Sequence, residues 1–465
     1  MTDIRTSLPA RLGRRRLLGY GATAGLVGLV PGLASCGKSS SSSSAAASSA
    51  GAGGTSGKEL TFWNFYGPSP KPSPQSEWFV NLAAAWNKNN DVKVKLRYVP
   101  NADYVNGNTL QTAFASGSGP DIFLLSSGDF LRYYNGKVLH DLTSAVPASV
   151  QSDYVSGVLN TRSVDGKLYG LPMEIEPLAM YYNQQAFEAA HLSEADLPKT
   201  WDQLLQVGQK LTSGNKFGVL FETAPGYYQN FTWYPFMWQG RGLAVGADKK
   251  SAFDSTAVQQ ALAFWQQTQK MGITPKKPLG TGANDAPSNL GSGYVAMQQT
   301  GIWSVADMAQ QKPKVKYDIF PLPTPPGGKP ATDGGGWAFA ANAKGSDPTT
   351  AAKFIAWALG SASADSVERG RLWNTVAKSN LPPRAAVQKA AEAHGAFTSG
   401  VLKKWAQLVV PSAQPEPRFP PEVYKAISDA IQSTQLAGAD PKSAASTAAS
   451  TINSFLAGYS GGAIL

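Results

Sequence analysis

The chain has 465 residues, of which 42% are hydrophobic and 10% aromatic, enough apolar material for a large buried core. At about 100–200 residues per domain, this length predicts two or three domains rather than one compact unit. The net charge of +10 does not indicate a nucleic-acid-binding surface, because residues 1–35 carry five arginines against one aspartate and the remaining lysines are scattered.

Residues 1–35 have the three zones of an export signal: a basic start, an apolar stretch over residues 17–30, and small residues after it. The apolar stretch is too short and too rich in glycine for a membrane-spanning helix, which needs about 20 apolar residues. Arg14 and Arg15 precede it, and residues 13–18 resemble the twin-arginine signal, an address for folded cargo.

Cys36 is the single cysteine of the chain and follows Leu33, Ala34 and Ser35. These four residues resemble the lipobox of bacterial lipoproteins, in which the cysteine carries the lipid and begins the mature chain. A lone cysteine forms no internal disulfide, so lipidation explains it better than a stray cysteine in a discarded leader. Residues 36–57 are rich in Ser, Ala and Gly, and we predict a flexible tether there.

From Lys58 onward, segments with the strand period alternate with segments of helical period. This alternation predicts an open α/β sheet with its ligand crevice at the carboxyl ends of the strands. The predicted strands are 60–63, 92–98 and 294–297, and residues 119–125 predict a turn that leads into a buried strand. The predicted helices are one that Ser76 caps, 103–115, 200–211 and 257–271, with extended segments at 318–323 and 334–337.

The usual signatures of catalysis and cofactor binding are missing from the sequence. Its three histidines, His140, His191 and His394, have no metal-ligand spacing. No nucleophile elbow, phosphate loop or dinucleotide-binding glycine pattern is present, so we predict no metal, cofactor or catalytic residue. Glu174 and Glu176 share one face of a predicted strand and keep one rival open, a secreted glycosidase or lyase.

Aromatic residues are abundant, with 12 Trp and 17 Tyr. Their rings cover the apolar face of a sugar, while Asp, Glu, Asn and Arg satisfy its hydroxyl groups. Trp63, Trp303 and Trp337 lie at strand ends or beside glycines, which favours a binding site. Four others have helical spacing, which favours the core: Trp78, Trp86, Trp265 and Trp357.

Several segments, in order, resemble the extracellular solute-binding proteins of ATP-binding-cassette sugar importers, the group that includes maltose-binding protein. The resemblance runs from Lys58 to the C-terminus. Its segments are 119–122 (GPDI) with 136–142, 165–172 (DGKLYGLP) with 180–183, 198–204 (PKTWDQL), 293–303 and 335–337.

The resemblance implies a two-lobed α/β fold of the type II periplasmic-binding-protein class, with the ligand between the lobes. It places residues 58–170 and 333–375 in lobe 1 and residues 171–332 and 376–465 in lobe 2. It implies a monomer that captures a sugar at the outer face of the cytoplasmic membrane and passes it to the permease subunits of an importer. No cofactor, chemical step or nucleic acid is implied.

The family's ligand contacts, carried over by position, and the glycine-flanked tryptophans together give the predicted site. Its members are Trp63, Asn64, Asp129, Glu176, Tyr228, Asn230, Trp303, Trp337, Arg418 and Phe419. The same fold with a non-sugar ligand, namely a peptide, a polyamine, a ferric ion or a phosphate ester, remains an alternative. Tyr181 and Tyr182 offer a tyrosine pair for iron, but we assign both to the strand that crosses between the lobes.

Overall fold

The computed structural model describes residues 58–105 and 107–464; the predicted export signal, Cys36 and the tether lie outside them. Strands occupy the predicted places at the start of this body and alternate with helices along it. They are β1 (Glu59–Asn64), β2 (Lys93–Tyr98), β3 (Ile122–Ser126), β4 (Ser163–Val164), β5 (Lys167–Leu168), β6 (Leu171–Pro172), β7 (Glu176–Asn183), β8 (Phe217–Leu220), β9 (Val295–Gly301), β10 (Tyr317–Phe320), β11 (Thr332–Gly335), β12 (Trp337–Ala341) and β13 (Ala413–Pro415).

The helices correct the prediction at two points. The first helix is capped by Ser73, whose side chain accepts from the N–H of Ser76, and the predicted helix 103–115 is two helices. Gly107 lies between them, where a Cβ would be 2.5 Å from the carbonyl oxygen of Asp103. The helices are α1 (Pro74–Asn89), α2 (Asn101–Val105), α3 (Thr109–Ala115), α4 (Phe130–Asn135), α5 (Ala148–Gln151), α6 (Gln184–Ala189), α7 (Trp201–Leu211), α8 (Tyr227–Gln239), α9 (Thr256–Lys270), α10 (Ser304–Gln310), α11 (Pro348–Leu359), α12 (Ala364–Leu372), α13 (Ala385–Ala393), α14 (Gly400–Lys404), α15 (Pro421–Gln435) and α16 (Pro441–Leu456).

The first sheet has the strand order β2-β1-β3-β12-β6. β1 runs parallel to β2 and β3, whereas β12 runs antiparallel to β3 and β6. Buried rings fill the space between this sheet and its helices, with Phe62 of β1, Phe79 of α1 and Phe339 of β12 in mutual contact. We call the body around this sheet the first lobe.

The second sheet has the order β13-β11-β7-β9-β8, with β10 also paired to β7. All eight residues of β7 are buried, as expected for a central strand covered on both faces. Tyr181 and Tyr182 lie in this strand, opposite Gln298 and Met297 of β9, which confirms their assignment. A separate apolar core covers this sheet, and we call the body around it the second lobe.

The chain passes between the sheets where β6 leads into β7 and where β11 leads into β12. A third crossing follows α12, where Leu381 of the segment 377–381 pairs with Ile175, directly before β7. Two sheets with separate cores, joined by these crossings, confirm the predicted two-lobed α/β class. The predicted lobe boundaries say which residues move together, and they stay a prediction.

Candidate ligand-binding site

Aromatic rings from the two lobes meet beside the crossings. Trp337 is the first residue of β12, and its ring centroid lies 4.7 Å from Phe65 of the loop after β1. Across the cleft, the ring centroid of Tyr227, at the start of α8, is 6.1 Å from Trp337. Gly336 makes this placement possible, because its φ of +128° and its contact with the carbonyl oxygen of Glu174 exclude a side chain.

A second aromatic group belongs to the second lobe. Trp303 lies between β9 and α10, and its half-buried ring covers Gly301, where a Cβ would be 1.8 Å from a ring carbon. The ring centroids of Tyr228 and Phe231 are 6.2 and 6.4 Å away. The hydroxyl of Tyr228 donates to Oγ1 of Thr300 at 3.3 Å, which fixes the orientation of this ring.

A buried charged cluster lies at the crossings. Nζ of Lys378 is 2.6 Å from Oε1 of Glu176 and 3.4 Å from Oε2 of Glu174, and it donates to the hydroxyl of Tyr66 at 2.9 Å. Nδ2 of Asn380 donates to both carboxylates, at 2.6 and 2.8 Å. Since Lys378 and Asn380 belong to the third crossing and the glutamates to the first, the cluster ties two crossings together.

Burial sets the electrostatics of this cluster. Burial, and then the charge of Glu176, raise the pKa of Glu174 to about 7. Burial alone would lower the pKa of Lys378, but the two glutamates outweigh it and hold that pKa well above its ordinary value. Lys378 is therefore charged at neutral pH and is the cation that both carboxylates share.

Asp129 lies at the start of α4 on the first lobe. Its Oδ1 is 3.1 Å from Nε of Arg132. It lines a small cavity of about 10 Å³ together with Trp337 and Tyr133. The structure therefore places two of the predicted residues, Asp129 and Trp337, next to each other on the first-lobe side of the cleft.

Two further predicted residues have internal contacts. The ring of Trp63 is covered by the guanidinium of Arg97, whose Cζ lies 3.9 Å from the ring centroid. Oδ1 of Asn64 accepts from the N–H groups of Tyr66 and Gly67, and its Nδ2 donates to the carbonyl of Gly67. Asn64 thus shapes the loop that carries Tyr66. As ligand contacts, Trp63 and Asn64 stay predictions.

The last three predicted residues pack within the protein. Nδ2 of Asn230 donates to the carbonyl of Tyr424 at 3.0 Å. Phe419 is buried against Tyr234 in the core of the second lobe. Arg418 donates to three backbone carbonyls, two of them in the first lobe, and so joins the lobes directly; the acceptors are those of Asn160, Ser163 and Ala463. Their ligand contacts also stay predictions.

Sequence reasoning missed Tyr66, Tyr227, Lys378 and Glu416, which the structure places at the contact between the lobes. Tyr227 adjoins Tyr228, and Tyr66 lies two residues after Asn64; the sequence singled out both neighbours, so proximity was the available signal. Lys378 has no such signal in the sequence, because its partner Glu176 lies 202 positions away along the chain.

No helix in the described ranges has the length and apolarity needed to cross a bilayer.

Comparison with known proteins decides the family. The family profile described as "Bacterial extracellular solute-binding protein" matches residues 71–365. The chain belongs to this family. The galactooligosaccharide-binding protein of Bacillus subtilis (strain 168) is 26% identical to this solute-binding protein over 283 residues, 59% of this chain and 62% of the relative. The maltodextrin-binding protein MdxE of the same organism is 26% identical over 356 residues, 74% and 78% of the two chains.

Matches to the first curated relatives span little more than half of their length: 62% of the galactooligosaccharide-binding protein and 56% of a Streptomyces antibioticus lipoprotein. The matches to solved structures cover a larger share of both chains. The solute-binding protein of Thermotoga lettingae bound with α-D-tagatose has a TM-score of 0.71 at 23% identity, over 86% of this chain and all of its own. Maltose-bound MalE3 of T. maritima has 0.71 at 20% identity, over 85% and 99%. These likenesses establish the same two-lobed fold.

Proposed function

We propose that this solute-binding protein captures a sugar or oligosaccharide outside the cytoplasmic membrane and delivers it to the permease subunits of an ATP-binding-cassette importer. The observation that carries the proposal is the meeting of rings from both lobes, Trp337 opposite Tyr227, near the Tyr228 and Trp303 pair. Rings stack on the apolar face of a pyranose, and nearby carboxylates such as Asp129 accept from its hydroxyls. Relatives whose names state galactooligosaccharide, arabinooligosaccharide and maltodextrin binding support a saccharide ligand.

Delivery by closure needs no chemical step. The importer must distinguish loaded from empty protein, so the ligand has to favour the closed arrangement of the lobes. Glu174 and Glu176 give little support to the glycosidase alternative, because catalytic carboxylates flank the scissile bond about 5–10 Å apart. Here one amide, Nδ2 of Asn380, bonds to both. We propose that the lobes that move are the two predicted from the sequence, and that the protein is a monomer.

A thermal-shift screen tests the ligand class. We expect a mono- or oligosaccharide to stabilise the protein by about 2.7 kcal/mol at a hundredfold excess over its dissociation constant, because it binds only the folded state. Peptide, polyamine, ferric ion and phosphate ester form the comparison set. Stabilisation by one of these and by no sugar contradicts the proposal. Recovery of the stabilising sugar unchanged after prolonged incubation separates binding from hydrolysis.

We also propose that Cys36 anchors the protein to the outer face of the cytoplasmic membrane, after export by a twin-arginine-type signal. Cys36→Ala is expected to move the protein from the membrane fraction to the soluble fraction, because each buried acyl methylene contributes about 0.8 kcal/mol to anchoring. Sugar affinity of the purified body should not change. Ser39→Ala, in the serine run after the cysteine, is the matched control and should stay anchored. Membrane retention of the Cys36→Ala protein rules out the anchor.

A further inference from the structure

Two carboxyl groups are buried side by side in the second lobe. Asp333 of β11 is 0% exposed, and Glu416, directly after β13, is 1% exposed. β11 and β13 run parallel, with Gly334 opposite Pro415, so that Glu416 follows next to Gly335. A Cβ on Gly335 would be 2.9 Å from Oε2 of Glu416. Neither carboxyl oxygen of Asp333 has a hydrogen-bond partner among the described residues beyond its neighbouring Gly334 N–H.

Glu416 owes its burial to both lobes. Its Oε2 accepts from the hydroxyl of Tyr227 in the second lobe at 3.0 Å. Its Oε1 lies against Gly128 of the first lobe, where a Cβ would be 2.7 Å away. The nearby buried cation, Arg162, also belongs to the first lobe, and its guanidinium donates to Oγ1 of Thr161 and to the carbonyl of Gly336. Parting of the lobes would therefore admit water to Glu416.

We propose that Glu416 is a proton-dependent latch between the lobes, whose carboxyl group takes up a proton as the lobes close and releases it as they part. A charged carboxylate loses its hydration when the first lobe covers it, and Asp129 of that lobe adds repulsion between like charges. Arg162 offsets only part of this, since two of its guanidinium nitrogens, Nη1 and Nη2, already donate to other groups. Protonation removes the penalty. The latch rests on the proposed function insofar as ligand capture closes the cleft.

The surroundings of the pair agree with this assignment. Burial raises the pKa of Glu416 to about 8; Arg162 and the hydrogen bonds from Tyr227 and the N–H of Gly128 lower it, and Asp129 raises it. Burial and then Glu416 raise the pKa of Asp333 well above its ordinary value. The other titratable groups that face the pair are neutral tyrosines, whose pKa values burial raises; they are Tyr227, Tyr234 and Tyr424.

The sign of the pH effect follows from these pKa values. When the lobes part, water reaches Glu416 and its pKa falls toward the ordinary value of a glutamate. The closed state, with the higher pKa, binds more protons between that value and about 8. Closure is therefore favoured as the pH falls below about 8. Below the ordinary pKa of a glutamate, both states are protonated, and further acidification does not favour closure.

Titration with the sugar found in the screen, from pH 5 to pH 8.5, tests the latch. We expect the apparent dissociation constant to fall by up to about tenfold per pH unit as the solution is acidified, with uptake of about one proton per sugar. Calorimetry in two buffers of different ionisation enthalpy counts that proton. Because glutamine is neutral at every pH, Glu416→Gln should bind the sugar at every pH with the affinity that the wild type reaches in acid. Glu422→Gln changes an exposed glutamate of α15 and should keep the wild-type pH dependence.

A measurement without ligand separates the latch from the proposed function. Fluorophores at Lys88→Cys on α1 and Lys210→Cys on α7, with Cys36 replaced, report the distance between the lobes; both positions are exposed. We expect this distance to shorten on acidification in the wild type and not in Glu416→Gln. If a sugar binds with pH-independent affinity, or if Glu416→Gln keeps the wild-type slope, the latch is wrong while the function stands. If no sugar binds, the proposed function fails and the ligand-free distance still decides the latch.

Discussion

Replacing Lys378 with methionine is expected to lower the free energy of unfolding by about 3–5 kcal/mol, the usual penalty for leaving a buried charge without its partner. Methionine retains much of the apolar stem and removes the ammonium group that lies 2.6 Å from Glu176 and 3.4 Å from Glu174. The two glutamates then lack their cation in a site closed to water, and one of them stays charged and unpaired or takes up a proton at a cost in free energy. Urea denaturation of the wild type and the variant measures the loss.

The chain offers a matched control for this substitution. Lys425 forms an ion pair with Asp429 on α15 with both side chains mostly exposed, so Lys425→Met should change stability by about 0–1 kcal/mol. A second variant checks the mechanism. Adding Glu176→Gln to Lys378→Met should restore part of the loss, because one buried charge is removed. Equal losses for the Lys378 and Lys425 variants would contradict the assigned role of the cluster.

The Lys378 cluster also explains how the crossings are held in register. Lys378 and Asn380 come from the third crossing and reach the two glutamates of the first, while Trp373 donates to Oε2 of Glu174 at 2.7 Å. Hydrogen bonds to charged groups contribute more than neutral ones, about 1.5–3 kcal/mol each. The two crossings are therefore fixed to each other, and the proposed closure would occur around this cluster.

The fold was predictable because its signals are local. The strand period of β2 and the helical period of α9 are visible within windows of about ten residues, and alternation of the two types suffices for the α/β class. The one capping error, at α1, arose because Ser73 and Ser76 both have side chains that suit a helix start. The break between α2 and α3 depends on the close approach of Gly107 to Asp103, which no periodic pattern contains.

The site was predictable only where a local signal marked it. Gly301 and Gly336 lie next to Trp303 and Trp337, and the structure shows why, since each glycine makes room for a ring or for the backbone beside it. Lys378 and Glu416 gave no such signal, because their partners come from distant elements. Position at the end of the first strand marked Trp63, but the guanidinium of Arg97, from the neighbouring strand, covers its ring.

Trp303→Ala is expected to weaken sugar binding by about 2–4 kcal/mol, the scale of a central aromatic contact. The ring is half buried, with Gly301 beneath it and Tyr228 and Phe231 beside it, so truncation also removes some packing within the second lobe. Isothermal titration with the cognate sugar and urea denaturation should both be measured on the same variant. For a ring that contacts ligand, the loss of affinity exceeds the loss of stability.

Trp265→Ala provides the opposite pattern for comparison. This tryptophan of α9 is completely buried against Phe221, so its truncation should lower the free energy of unfolding by about 3–5 kcal/mol and leave the affinity of the folded protein unchanged. If Trp303→Ala behaves in the same way, early unfolding with normal binding, then Trp303 is a packing residue of the second lobe. The aromatic surface proposed to hold the sugar then reduces to Trp337, Tyr227 and Tyr228, and substitutions at those three positions become the next test of the cleft.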